Sequence, residues 1–226
     1  MIKIGIVAEG RADQMVIRNI LYAFDLDKKD ILFIRPELEK DATDSVLSEK
    51  TFGSWTNVKN DCESKIPFLD FFNNQLIGNK LIVIHLDSDT CTEYGVEEFL
   101  NPKTSNDFSI FRNRIVTKIQ DWLQNLYSEQ LLYAICIRQI DAWILTLWAT
   151  PNEKDTGCIA KPKNKLHSTE AYRAEKGKPD VSKYDLLSTQ FDNIKKLNRA
   201  TKFNQSLKDF VESIKTKLEE LEKKED

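Results

Sequence analysis

Leu81-Ile82-Val83-Ile84-His85-Leu86-Asp87-Ser88-Asp89 is the stretch that decides how this chain is read. An apolar run of that length, closed by two aspartates, predicts a buried β-strand that delivers carboxylates at its C-terminal end. A similar run, Ile4-Gly5-Ile6-Val7, leads into Ala8-Glu9-Gly10 near the N-terminus. Open α/β sheets bind ligands just outside the carboxyl ends of their strands, so Glu9, Asp87 and Asp89 are expected in one crevice. Two carboxylates about 4 Å apart repel by roughly 4 kcal/mol at an effective dielectric of about 20. A group of three therefore needs raised pKa values or a cation. Oxygen-only ligands favour Mg2+ or Mn2+ over zinc.

Outward from these two strands, apolar periodicity alternates between the strand and helix types. Val16, Ile20 and Phe24 mark a helix over 12–24, and Ile31–Ile34 form a strand closed by Pro36. The segment 37–57 is polar and without period. Ile66, Leu69, Phe72 and Leu76 predict a helix that starts at Pro67 and stops at Gly78. After a polar stretch to Asp107, the series Phe108, Phe111, Ile115, Ile119, Trp122 and Leu126 traces one face of a long helix. Leu131–Ile137 is a fourth strand, and Ile140 to Trp148 a helix stopped by Pro151. Such alternation predicts a Rossmann-like α/β domain over residues 1–150, a mainly parallel sheet flanked by helices. The lysine-rich segment 151–182 reads as a basic loop or lid. Residues 183–226 read as a C-terminal helical extension, with one helix from Tyr184 to Leu197 and another from Phe203 to Leu221. In the second, Leu207, Phe210, Val211, Ile214 and Leu218 would pack on the same domain.

The bulk composition excludes several classes. With 226 residues, 41% of them hydrophobic and 31% charged, the chain is long enough to bury a core and too polar for a membrane protein. No apolar stretch approaches the ~20 residues of a membrane span. The chain enters a strand at once without a signal-peptide pattern, which predicts a cytoplasmic protein. A net charge of −3 means that any nucleic-acid binding must come from local basic patches. Cys62, Cys91, Cys136 and Cys158 are widely spaced and form no CxxC pair, so neither a zinc motif nor a disulfide framework is expected.

Glu9 occupies the first strand-to-helix turn, where a dinucleotide-binding fold would place glycines against phosphate. A carboxylate there disfavours a direct phosphate cradle and favours a metal bridging protein to phosphate. Asp13, four residues on, faces the same ion or complements the helix dipole. Asp87 and Asp89 share a side if the strand continues, because side chains alternate with period two. His85 reads as structural. Asp141 opens the helix after the fourth strand, as a helix-terminal acid or as a site residue. For substrate phosphate, Arg11 and Arg138 lie at strand ends, and Lys163 and Lys165 lie in the basic segment with Lys161, Arg173, Lys176 and Lys178. Trp122, Trp143 and Trp148 fall on apolar helix faces and are expected in the core.

Val7-Ala8-Glu9-Gly10 with Asp13, followed by a strand ending in Asp87-Ser88-Asp89, resembles the Toprim domain family. The closest likeness is to its OLD-type nucleases and to small standalone bacterial Toprim-like proteins. In the latter, an acid followed by Ala-Trp opens the helix after the fourth strand, as Asp141-Ala142-Trp143 does here. The likeness covers about residues 1–148 and rests on two short motifs. It implies that Glu9 works as general acid or base, that Asp87 and Asp89 hold Mg2+, and that Asp141 serves a second metal or orients water. The chain has no recognisable DNA-cleaving tyrosine motif, so hydrolysis is expected rather than rejoining. The expectation is a divalent-metal-dependent nuclease acting on DNA or RNA. The resemblance also implies a role as a bacterial defence or mobile-element effector, working beside a partner ATPase. A non-catalytic binding or regulatory module and a small-molecule phosphohydrolase are the alternatives.

Overall fold

Four strands, β1 (Ile2–Val7), β2 (Ile31–Arg35), β3 (Asn79–Asp87) and β4 (Leu131–Cys136), form one sheet in the order β2-β1-β3-β4. All three pairings are parallel. The computed structural model describes residues 2–37, 54–74, 78–98, 104–152 and 154–225. The chain moves from β1 outward to β2, then crosses back to β3 and outward again to β4. The C-terminal ends of β1 and β3 therefore flank the point where the winding reverses, where an open α/β sheet holds its ligand. In register, Val7 lies opposite Ile84 and Asp87 opposite Cys136.

Both central strands are buried on two faces, as their continuous apolar runs require. One face packs Ile4, Ile6, Leu81, Val83, Leu132 and Ala134 against α1 (Arg11–Tyr22) and α5 (Asp141–Leu145). The other packs Ile82, Ile84, Tyr133 and Ile135 against α2 (Trp55–Ser64), α3 (Ile66–Asn73) and α4 (Ser105–Trp122). A reciprocal capping box between Thr104 and Asp107 starts α4. Gly5 keeps the second face thin. A Cβ there would fall 2.2 Å from Ile34 Cδ1 and 3.3 Å from Phe71 Cε2.

The expected α/β class, parallel sheet and flanking helices are present, with differences in detail. Residues 55–57, the end of the stretch expected to be irregular, begin α2, which buries Val58 and Cys62; residues 38–53 of that stretch lie outside the described residues. The apolar face proposed for α3 is displaced. Phe68 is fully buried while Ile66 is 58% and Leu69 43% exposed, and Leu76 is outside the described residues. The helix α4 ends at Trp122, and Leu126 beyond it is exposed. Trp122 and Trp143 are buried, but Trp148 is 38% exposed, since the chain has by then left the α-helix for a 3-10 turn.

The stretch expected as a basic loop or lid over 151–182 is instead structured. It carries α6 (Pro162–His167), α7 (Glu170–Ala174) and the start of α8 (Asp180–Ser188). Its sparse apolar residues misled the periodicity reading, because a single one, Leu166, is fully buried in the core and anchors the segment. Polar contacts do the rest. The Thr156 hydroxyl donates to the Ala142 carbonyl at 2.7 Å, and Asp155 accepts from the Gly157 and Gln205 amides at 2.7 Å each. The single helix expected from Tyr184 to Leu197 is broken into α8 and α9 (Ile194–Ala200), with Asn193 capping the second. The last helix, α10 (Gln205–Glu225), buries Leu207, Phe210, Val211 and Ile214 as expected and packs against β4. Its Ser206 hydroxyl accepts from the Trp143 indole N–H at 2.9 Å, and Phe210 stacks on that ring.

Among the described residues, no helix is long and apolar enough to cross a membrane.

Candidate functional site

At the winding reversal a cleft of about 220 Å³ opens over the strand ends. Glu9, Asp13, Asp87 and Asp141 line it, with Gln139, Lys163, Asp180 and Tyr184. Each acid arrives from a different element. Glu9 lies in the turn just after β1, Asp13 sits in the first turn of α1, Asp87 ends β3, and Asp141 opens α5. The two central strands are tied at their tips, where the Asp87 amide donates to Glu9 Oε1 at 2.7 Å. Ser88 then clasps β3 to β4. Its hydroxyl accepts from the Arg138 amide at 2.8 Å, while its own amide donates to the Cys136 and Arg138 carbonyls. Arg138 adopts a left-handed backbone with φ of 71° to close this clasp, an uncommon state for a non-glycine residue.

The electrostatics of the cleft are those of a site with more buried carboxyls than cations. Burial is the main force on every acid. It pushes Glu9 up to about 8, with the Asp87 charge adding to it and His85 opposing. Asp13 rises to about 7 by burial, against His85 and with Asp87 and Asp141. Asp87 is held well above the carboxylate range by burial and by the Asp89 and Asp141 charges. Asp141 is raised as well, although Tyr184 donates its hydroxyl to Asp141 Oδ1 at 2.5 Å. Among the described residues, Lys163 is the one cation lining the cleft, and it pulls down both Asp87 and Asp141. Asp180 differs from the other four. It pairs with Lys183 and Tyr172, and its carboxyl lies below the usual value.

The structure thus brings together Glu9, Asp13, Asp87, Asp141 and Lys163 from the sequence reading. Asp89 lies in an adjoining hollow with Arg138 and Lys163, where its carboxylate accepts from Gln139 at 2.7 Å. Arg138 pairs with Glu98 at 2.9 Å. Arg11 donates to the Glu37 carbonyl at 2.7 Å, and neither it nor Lys165 lines the cleft. The larger hollow of about 530 Å³ lies at the opposite, N-terminal end of the sheet and contains none of the predicted site residues.

Two residues that lie against the acids were not read from the sequence as site residues. Tyr184 was placed only at the start of a helix. Its helix α8 docks on α1 through Asn19, whose amide donates to the Asp185 carbonyl and to Ser188 Oγ. His85 was set aside as structural. It lies fully buried beneath the acids, with Nε2 3.2 Å from Asp87 Oδ1 and Nδ1 3.8 Å from Asp13 Oδ2. The signal was available. The period-two rule that pairs Asp87 with Asp89 also puts His85 on the same side of β3.

Metal fitness follows from two observations. Asp87 Oδ1 is buried without a hydrogen-bond partner, and four carboxyls share a cleft that disfavours their charged forms. A cation would satisfy both. Among the described residues, however, only His85, Asp87 and Cys136 bring three donor atoms within 4.8 Å of one another. The carboxylates Glu9, Asp13, Asp87 and Asp89 do not converge as one direct coordination sphere. They suit an ion held through one or two carboxylates with its remaining positions filled by water, the usual manner of Mg2+.

No protein family matches this chain, and neither a curated protein nor a solved structure matches it.

Proposed function

We propose that the protein is a divalent-metal-dependent phosphodiester hydrolase, a nuclease of Toprim-like type. The observation that supports this most is the gathering of Glu9, Asp13, Asp87 and Asp141, all with raised carboxyls, at the winding reversal of a parallel sheet. Asp87 would hold the cation, with Glu9, Asp13 and Asp141 around it. When bound, Mg2+ or Mn2+ supplies Lewis-acid polarisation of the phosphoryl oxygen and a more acidic water. Glu9, which burial raises to about 8 in the absence of metal, is the group placed to give or take a proton at the reacting oxygen. Lys163 at the mouth contacts a phosphate oxygen, and Arg138 beside Asp89 extends that contact along a backbone. Gln139 fixes Asp89, and Tyr184 fixes Asp141.

Cleavage of plasmid DNA and of RNA with Mg2+ or Mn2+ tests this reading. Cleavage should require the metal and fall by at least ~10²-fold in both Glu9→Gln and Asp87→Asn, in line with the general acid–base contribution. Metal binding without turnover on either polymer would leave a binding module, and turnover confined to nucleotides would leave a small-molecule phosphohydrolase.

A further inference from the structure

Beneath the cleft, the donor set changes character. His85 Nε2 lies 3.4 Å from Cys136 Sγ and 3.2 Å from Asp87 Oδ1. Tetrahedral zinc, with bonds of about 2.3 Å to sulfur and about 2.0–2.1 Å to nitrogen and oxygen, separates S from N by about 3.5 Å and N from O by about 3.4 Å. The observed spacings match both. They arise from register, because Asp87 lies directly opposite Cys136 and His85 opposite Ala134 on neighbouring strands. We propose that His85 Nε2, Cys136 Sγ and Asp87 Oδ1 form a site for one transition-metal dication of the zinc class, at the floor of the cleft.

Three further features support it. His85 is fully buried and its Nδ1 has no hydrogen-bond partner, as is true of Asp87 Oδ1. Asp13 Oδ2 lies 3.8 Å from that Nδ1, beyond hydrogen-bond range but on the side from which a supporting carboxylate orients a metal-bound imidazole. Three protein donors leave a fourth position open, as in catalytic rather than structural zinc sites. An imidazole and a thiolate select a softer ion than the Mg2+ that oxygen ligands alone would favour. On binding, the ion replaces the thiol proton of Cys136, which leaves to solvent, so occupancy rises with pH. The site shares Asp87 with the position proposed above for Mg2+, while its His85 and Cys136 ligands are read from metal binding and not from what the cleft hydrolyses.

Cobalt(II) titration of the full-length protein provides the test. One equivalent should bind and give a near-ultraviolet thiolate-to-metal absorption. That absorption should survive Cys158→Ser and a large excess of Mg2+, and disappear in Cys136→Ser. Zinc affinity should fall at least ~100-fold in Cys136→Ser and in His85→Gln, since removing a ligand costs more than removing its supporting carboxylate. Should either variant fail to fold, X-ray absorption of the wild-type zinc form counts the ligands directly. One sulfur with nitrogen and oxygen neighbours supports the site. An all-oxygen shell, no bound metal, or an absorption that persists without Cys136 overturns it. Each result is read from metal binding alone, so a failed cleavage assay leaves it standing and a failed titration leaves the cleavage assay to be judged separately.

Discussion

At Glu9 one carboxyl both ties the sheet and lines the cleft: it accepts the Asp87 amide across the central strands, and burial raises it to about 8. A carboxyl that binds its proton more tightly when folded contributes stability that is complete below its unfolded value, 4.5 for Glu9 and 3.8 for Asp13. That contribution is lost as pH rises through about 7 for Asp13 and about 8 for Glu9. In metal-free protein, Glu9→Gln should therefore gain stability relative to wild type as pH rises from about 5 to about 9. Parallel Tm profiles measure the difference; one that stays flat with pH contradicts the raised carboxyl. Tyr184→Phe removes the donor to the buried Asp141 carboxyl and should cost about 1–3 kcal/mol in urea unfolding. An unchanged midpoint would show that the Tyr184–Asp141 contact adds nothing to stability.

The elements were legible where one face of regular period is buried and obscure where few residues carry the anchoring. All four strands follow from their apolar runs, and α1, α4 and α10 from helical stripes that the core absorbs. The short helices between 155 and 188 left no such trace, because hydrogen bonds at Asp155 and Thr156 and the single side chain of Leu166 hold their beginning. Within the site, Glu9, Asp13, Asp87 and Asp141 could be found because strand ends and helix starts are readable. Asp89 turned into the next hollow because the chain bends away after β3. Gly5→Ala drives a methyl into Ile34 against Phe71, and should cost about 1–3 kcal/mol by denaturant midpoint, the usual range for overpacking. A neutral result would mean that Ile34 swings aside freely.

Across the whole molecule, the C-terminal helices are part of the domain core. Trp143, the largest fully buried side chain, stacks on Phe210 and donates to Ser206, so α5, which carries Asp141, is positioned by α10. Trp143→Ala should cost about 3–5 kcal/mol in chemical unfolding. It should also weaken the metal-dependent cleavage proposed above, although Trp143 does not line the cleft. A variant that unfolds earlier but cleaves normally would separate the helix from the site.

The order of segments along the chain has a further consequence, for synthesis. β1 emerges first yet pairs on both edges with later strands, and the Leu132 and Ala134 face of β4 shares a core with Leu207, Phe210, Val211 and Ile214, which follow some seventy residues on. A ribosome-bound fragment ending near residue 200 has its sheet complete but lacks the α10 share of that core, the kind of nascent species that sticks to its neighbours or recruits a chaperone.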